Sequence, residues 1–194
     1  MKYLLSFLFL LFSFKSFCQI KDTLHKISPR NMVISFPEQE IYKYVNDYLP
    51  KFVLTDLDGH IIDSDFLIGK PTVVNFWFTN CAPCIEEMPI LNKIKRQYGN
   101  KINFVAMTFQ EANVVKDFLK LNEFDFLQIV NSKTYLKNFG FFSYPKTIIL
   151  DDNLKVIKIE RLIGKNQNSN RENIIEFEKR ISGILNVLLE SPKN

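Results

Sequence analysis

The alternation of apolar and polar positions is clearest from residue 51 onward. Lys51–Thr55 alternates as a strand, Asp56-Leu57-Asp58-Gly59 supplies a turn, and His60–Ile62 returns as a second strand, which predicts a hairpin. Thr72–Phe78 is a nearly continuous β-branched and aromatic run, as a buried central strand requires. Ile85, Met88, Leu91, Ile94 and Tyr98 then recur near helical spacing and predict an amphipathic helix. Pro89 inside it removes a backbone bond and should kink the helix without ending it. Ile102–Thr108 reads as a strand, Glu111–Leu121 as a helix with Val114, Val115, Phe118 and Leu119 on one face, and Phe126–Val130 as a short strand.

Ser132 is placed to cap a short helix carrying Tyr135, Leu136 and Phe139, which Gly140 ends. Lys146–Leu150 and Leu154–Glu160 flank the turn Asp151-Asp152-Asn153 as a second hairpin. Ser169 and Glu172 form a capping box ahead of a helix with Ile174, Phe177, Ile181, Ile184, Leu185 and Leu188 on one face. This order predicts an α/β fold. Its central sheet is mixed but mainly parallel, with helices on both faces, an N-terminal β-hairpin and an antiparallel edge from the late hairpin.

The first 47 residues read differently. Lys2 precedes an apolar run, Tyr3–Phe14, broken only by Ser6 and Ser13, and Ser16-Phe17-Cys18 follows with small residues where a signal peptidase reads. Residues 1–18 are therefore expected to be a signal peptide cleaved after Cys18, with lipid attachment at Cys18 as the rival. A membrane span needs about 20 apolar residues, and this run is shorter and stops at Lys15. Residues 19–47 show no clear period; Pro29 and Pro37 break them, and Glu38–Tyr48 reads as a short helix. They are taken as an N-terminal extension ahead of a domain at 48–192.

Composition narrows the class further. The chain has 194 residues, 46% hydrophobic and 24% charged, enough for one globular domain with a sizeable core. Its net charge of +4 is weak and dispersed, which argues against a nucleic-acid partner. Loss of the leader would remove Lys2, Lys15 and Cys18 and leave two cysteines, Cys81 and Cys84, in an oxidising compartment.

Those two cysteines stand where the buried strand gives way to the helix. A sulfur at a helix N-terminus meets unpaired N–H groups and about half a positive charge, which favours thiolate. Pro83 is tolerated there because its missing N–H would have been unpaired anyway. Cys84 lies on the same face but deeper, so Cys81 is the expected attacking thiol and Cys84 the resolving one. A structural staple over so short a loop constrains the unfolded chain little. A zinc site wants two further ligands, and His25 and His60 have no ligand spacing, so no metal is expected. A c-type haem needs His directly after the second cysteine, and Ile85 is there.

The segment "VVNFWFTNCAPCIEEMP" resembles the active-site segment of thioredoxin-fold proteins, and more narrowly the TlpA/ResA-like branch of exported thiol–disulfide oxidoreductases. "LPKFVLTDLDG" and "FGFFSYPKTIILDDN" extend the resemblance from about Leu49 to the C-terminal helix. It implies a thioredoxin-like fold and a cis bond at Tyr144–Pro145, beside the sulfurs, where Tyr144 presents its backbone to a peptide. It places Asn75 where thioredoxins proper carry a buried aspartate, and Glu87 where an acid is expected to tune the cysteines and move protons. Trp77 takes the family's place under the motif and is assigned with Asn80 to the substrate side; core packing is its alternative. Asn80 stands where this branch often has Trp. Implied partners are protein disulfides, in cytochrome c maturation or a similar task, and a membrane-embedded electron donor; no cofactor beyond the dithiol is implied. The alternative is a copper-binding or partner-binding module on the same fold, with Met88 and Met107 as soft ligands.

Overall fold

The computed structural model describes residues 39–140, 142–162 and 170–191. The expected signal segment, most of the expected extension and Ser169 of the expected capping box lie outside the described residues. The strands are β1 (Val53–Asp56), β2 (Ile61–Asp63), β3 (Thr72–Phe76), β4 (Asn103–Met107), β5 (Leu127–Val130), β6 (Lys146–Leu150) and β7 (Val156–Glu160). The helices are α1 (Ala82–Tyr98), α2 (Ala112–Leu119), α3 (Lys133–Leu136) and α4 (Asn170–Glu190), with short 3-10 turns between.

The strands form one sheet in the order β2-β1-β5-β4-β3-β6-β7. Only β3–β4 and β4–β5 run parallel; the other four pairings are antiparallel. The expectation of a mainly parallel sheet is therefore corrected. Parallel neighbours need a crossover, which α1 and α2 supply for β3, β4 and β5. Each hairpin adds antiparallel pairs, and each also joins the sheet antiparallel, through β1–β5 and β3–β6.

Side-chain alternation along β3 divides the core in two. Val73 and Trp77 point to the face covered by α1, α2 and α4. Val74 and Phe76 point to the other face, under α3, the turn at Lys137–Phe139 and the 3-10 turn Glu40–Tyr44. All five β3 residues are buried, because the strand is covered on both sides. Helix α1 buries Cys84, Glu87, Met88, Leu91, Ile94 and Tyr98, one or two per turn on a single stripe. Leu91 and Ile94 are wholly buried, each worth roughly 1.5–3 kcal/mol. The helix continues through Pro89 to Tyr98, with Pro89 on its exposed side.

Two expected details differ. In α2 only Val115 is buried, and Val114 is 41% exposed, because one residue of helical rotation carries it off the apolar stripe. The boundary expected at residue 48 falls inside packed structure. Ile41 is wholly buried in the second core, and residues 46–49 hydrogen-bond to β7 and the turn before it. Asn46 N–H donates to Val156 O at 2.8 Å, Val156 N–H to Asp47 O at 2.8 Å, and Leu49 N–H to Leu154 O at 2.9 Å. The last residues of the extension thus belong to the domain. A single buried isoleucine carries no period, which is why the pattern hid it.

Candidate redox site

Cys81 and Cys84 are joined by a disulfide at the junction between β3 and α1. Cys81 is the N-cap of α1, in an extended conformation, and its sulfur accepts from the Cys84 N–H at 3.3 Å. Its carbonyl takes the Ile85 N–H at 3.1 Å. The sulfur therefore does what a capping oxygen usually does: it satisfies an orphan donor of the first turn. The head of the helix thus meets this sulfur with an N–H donor and the positive end of its dipole. Exposure is 4% for Cys81 and 1% for Cys84, so both are more enclosed than a freely standing thiol, with Cys81 the outer of the two.

The loop that leads into the pair is pinned from the side. Thr79 N–H donates to Gln110 Oε1 at 2.8 Å, and Gln110 Nε2 donates back to Thr79 Oγ1 at 2.9 Å. The Cys81 N–H closes a turn on Phe78 O at 3.1 Å. Asn80, between them, is exposed.

Glu87 lies one turn beyond Cys84 on the same face of α1 and is wholly buried. Removal from water pushes its carboxyl up to about 7. Four groups partly offset that push: the Leu162 N–H at 2.5 Å on Oε1, the Asn75 amide at 3.3 Å on Oε2, the Thr147 hydroxyl at 3.5 Å on Oε2, and the charge of Lys146. Burial thus favours the protonated carboxyl, one helical turn from Cys84. Glu86, its neighbour, is exposed, as solvation of that helix face requires.

The Tyr144–Pro145 peptide bond is cis. Tyr144 packs against the cluster that holds both cysteines. Its ring meets Phe78 at 5.3 Å, Phe109 at 6.1 Å and Phe142 at 4.9 Å between centroids, an aromatic shelf beside the disulfide. Burial raises the Tyr144 phenol to about 12, so it stays protonated at ordinary pH.

One assignment changes. Trp77 was placed on the substrate side, but it is wholly buried and packs edge-on to Phe124 at 5.6 Å and against Phe118 at 5.3 Å. Its side chain supports the motif from within the core and reaches no substrate. The soft-ligand pair does not form either: Met88 and Met107 sit in the two separate cores, on opposite faces of the sheet. Among the described residues no cluster of His, Cys, Asp or Glu could hold a metal ion.

Thr147, Gln110 and the Leu162 N–H were not foreseen. Asn75 carried the signal for the first. A polar side chain within an apolar central strand needs a partner, and antiparallel register puts Thr147 directly opposite it. Gln110 and Leu162 left no comparable mark.

A family model described as Redoxin matches residues 44–175. The thiol–disulfide oxidoreductase ResA of Bacillus thuringiensis subsp. konkukian (strain 97-27) is 32% identical over 136 residues, covering 69% of this chain and 76% of its own length. The thioredoxin-like protein YneN of Bacillus subtilis (strain 168) is 29% identical, over 63% of this chain and 74% of its own. Among solved structures, a thiol:disulfide interchange protein from Bacteroides sp. superposes with a TM-score of 0.60 at 19% identity, over 73% of this chain and 90% of that one. That likeness shows the fold, which is thioredoxin-like. With its cysteine pair bonded at the head of α1, the chain belongs to the Redoxin family, among the ResA-like thiol–disulfide oxidoreductases of the thioredoxin superfamily.

Proposed function

We propose that this protein is exported and acts there as a net reductant of protein disulfides. The observation that carries the reading is the pairing of a capped Cys81 sulfur with a buried acid, Glu87, that titrates near neutrality. The Cys81 thiolate attacks one sulfur of the substrate disulfide. A mixed disulfide forms, and the other substrate sulfur leaves and takes up a proton. Glu87 accepts the Cys84 proton, and the Cys84 thiolate then attacks the Cys81 sulfur. The second substrate thiol leaves, and two electrons have passed from the protein dithiol to the substrate. The enzyme ends as the disulfide seen here.

Asn80 and the backbone of Tyr144 face the incoming peptide, and Pro145 withholds an N–H that would compete at that point. No cofactor beyond the dithiol is invoked. Because the compartment is oxidising, an electron donor in the membrane has to restore the dithiol. The apolar leader at Tyr3–Phe14 supports export; among the described residues no helix is long and apolar enough to cross a membrane. Cytochrome c maturation is the task that this branch suggests.

The test is direct. Cys84→Ala should accumulate mixed disulfides through Cys81 in cells, with partners released by dithiothreitol, and Cys81→Ala should trap none. A reduction potential toward the thioredoxin end of the thiol scale, near about −270 mV, supports a net reductant. A value near the strongly oxidising end, about −120 mV, would replace this direction with an oxidase.

A further inference from the structure

Lys146 is an unusual residue to find in the middle of a sheet. It opens β6 directly after Pro145, and it is wholly buried. Among the described residues it forms no salt bridge. Instead its ammonium reaches three oxygens: Ser143 O at 2.6 Å, Ser143 Oγ at 3.2 Å and Pro145 O at 3.4 Å. An ammonium has three donors and no acceptor, so all are used, and all are used on the residues that flank Tyr144. Gln39 grips the same place from the N-terminal side. Its Nε2 donates to Ser143 Oγ at 3.0 Å, and its Oε1 accepts from the Ser143 N–H at 3.3 Å.

We propose that Lys146 is a positioning residue for protein substrates: its charged ammonium brackets Tyr144 by holding the carbonyls on either side, and so fixes the backbone edge on which the substrate peptide pairs. This rests on the function proposed above and adds how that site holds a peptide. The cost of burying the charge is visible in the surroundings. Desolvation and Arg161, just after β7, lower the Lys146 ammonium to about 8, while Glu87 on α1 favours its charge. The Tyr42 ring lies 5.9 Å from it, and Glu160 on β7 is taken by Arg180 at 2.9 Å. A methionine would fill the space without that cost. The charge therefore has its use in the oxygens it gathers.

A peptide that pairs with Tyr144 needs the bracket, whereas a small disulfide needs only the sulfur. Insulin and 5,5′-dithiobis(2-nitrobenzoate), each mixed in excess with protein reduced beforehand and freed of reductant, separate the two, with kcat and KM read from the single-turnover dependence on disulfide concentration. Across pH 7 to 9, the ratio of kcat/KM for insulin to that for the small disulfide should fall about tenfold with a midpoint near 8, because the Cys81 and Glu87 ionisations act on both substrates. Lys146→Met should raise KM for insulin five- to tenfold relative to that for the small disulfide; loss of its charge near Glu87 acts on kcat for both substrates alike, so their ratio should be flat with pH. Lys146→Gln, which keeps two donors, should fall between. An unchanged insulin KM in folded Lys146→Met overturns the proposal, as does a parallel rise in KM for both substrates. Should Lys146→Met fail to fold, a flat ratio in the unaltered protein overturns it alone. If the unaltered protein turns over neither disulfide, the oxidoreductase function itself falls.

Discussion

Asn75 and Thr147 stand opposite each other across β3 and β6, and the Asn75 amide donates to Thr147 Oγ1 at 3.0 Å. Both then turn to the same oxygen of Glu87. A carboxyl buried at 0% exposure would be untenable without such partners. The pair makes it tolerable without making it a strong acid, because neither donor is charged.

Glu87→Gln should remove an ionisation near pH 7 from the rate of thiol exchange. Stability should respond as well, and the sign is fixed. The folded-state value, about 7, lies above the ordinary 4.5. The contribution of Glu87 is therefore full below pH 4.5 and is lost as pH rises through 7. The wild type should lose up to about 3 kcal/mol relative to Glu87→Gln between pH 4.5 and 8. Urea melts of both proteins across that range check it; parallel pH curves would contradict it.

Asn75→Asp sets a second carboxyl within 3.3 Å of Glu87 Oε2. Two carboxylates that close do not both ionise, and the pair titrates as a unit with one step raised. The variant should lose about 2 kcal/mol or more at pH 8 and little at pH 5. Carboxyl chemical shifts followed through a pH titration would show the upper step above 7, and two independent ordinary titrations would refute it.

Gln110→Ala removes both hydrogen bonds to Thr79. The expected cost is about 1–2 kcal/mol, concentrated in the loop before Cys81. Amide hydrogen exchange at Thr79 and Asn80 should accelerate while that of β4 does not. Uniform acceleration would mean that Gln110 serves the whole sheet.

Ile41→Ala probes the leading segment. Ile41 is wholly buried against the second core, and truncation should cost about 2–5 kcal/mol. Thermal melts at constant pH measure it. An unchanged midpoint would mean that residues 39–47 ride on the domain without supporting it.

The sequence made some of this legible and hid the rest for physical reasons. Local pattern located every strand and helix between residues 53 and 160 to within two residues or so, because each element carries its own period. The pattern placed Cys81 and Cys84 where a buried strand gives way to a helix, whereas Glu87 was picked out by the family resemblance. What local pattern does not carry is which distant residues meet. Thr147 under Glu87, Gln110 on Thr79 and Ile41 in the core all depend on sheet order. The β1–β5 pairing depends on it too, and with it the antiparallel majority of the sheet's pairings. Trp77 was misplaced for a related reason: its position beside the motif was readable, but the ring's direction follows from strand alternation continued one residue past β3.

The backbone bonds between residues 46–49 and the start of β7 have a practical consequence. An open sheet has two rims, and an unpaired rim is a template for a neighbouring molecule. At one rim β2 is only three residues long. At the other, the chain's own leading peptide occupies part of the place where a stranger would dock. A recombinant form trimmed to begin at residue 48 would keep every redox group and still tend to cluster, for want of the few residues that cover that border.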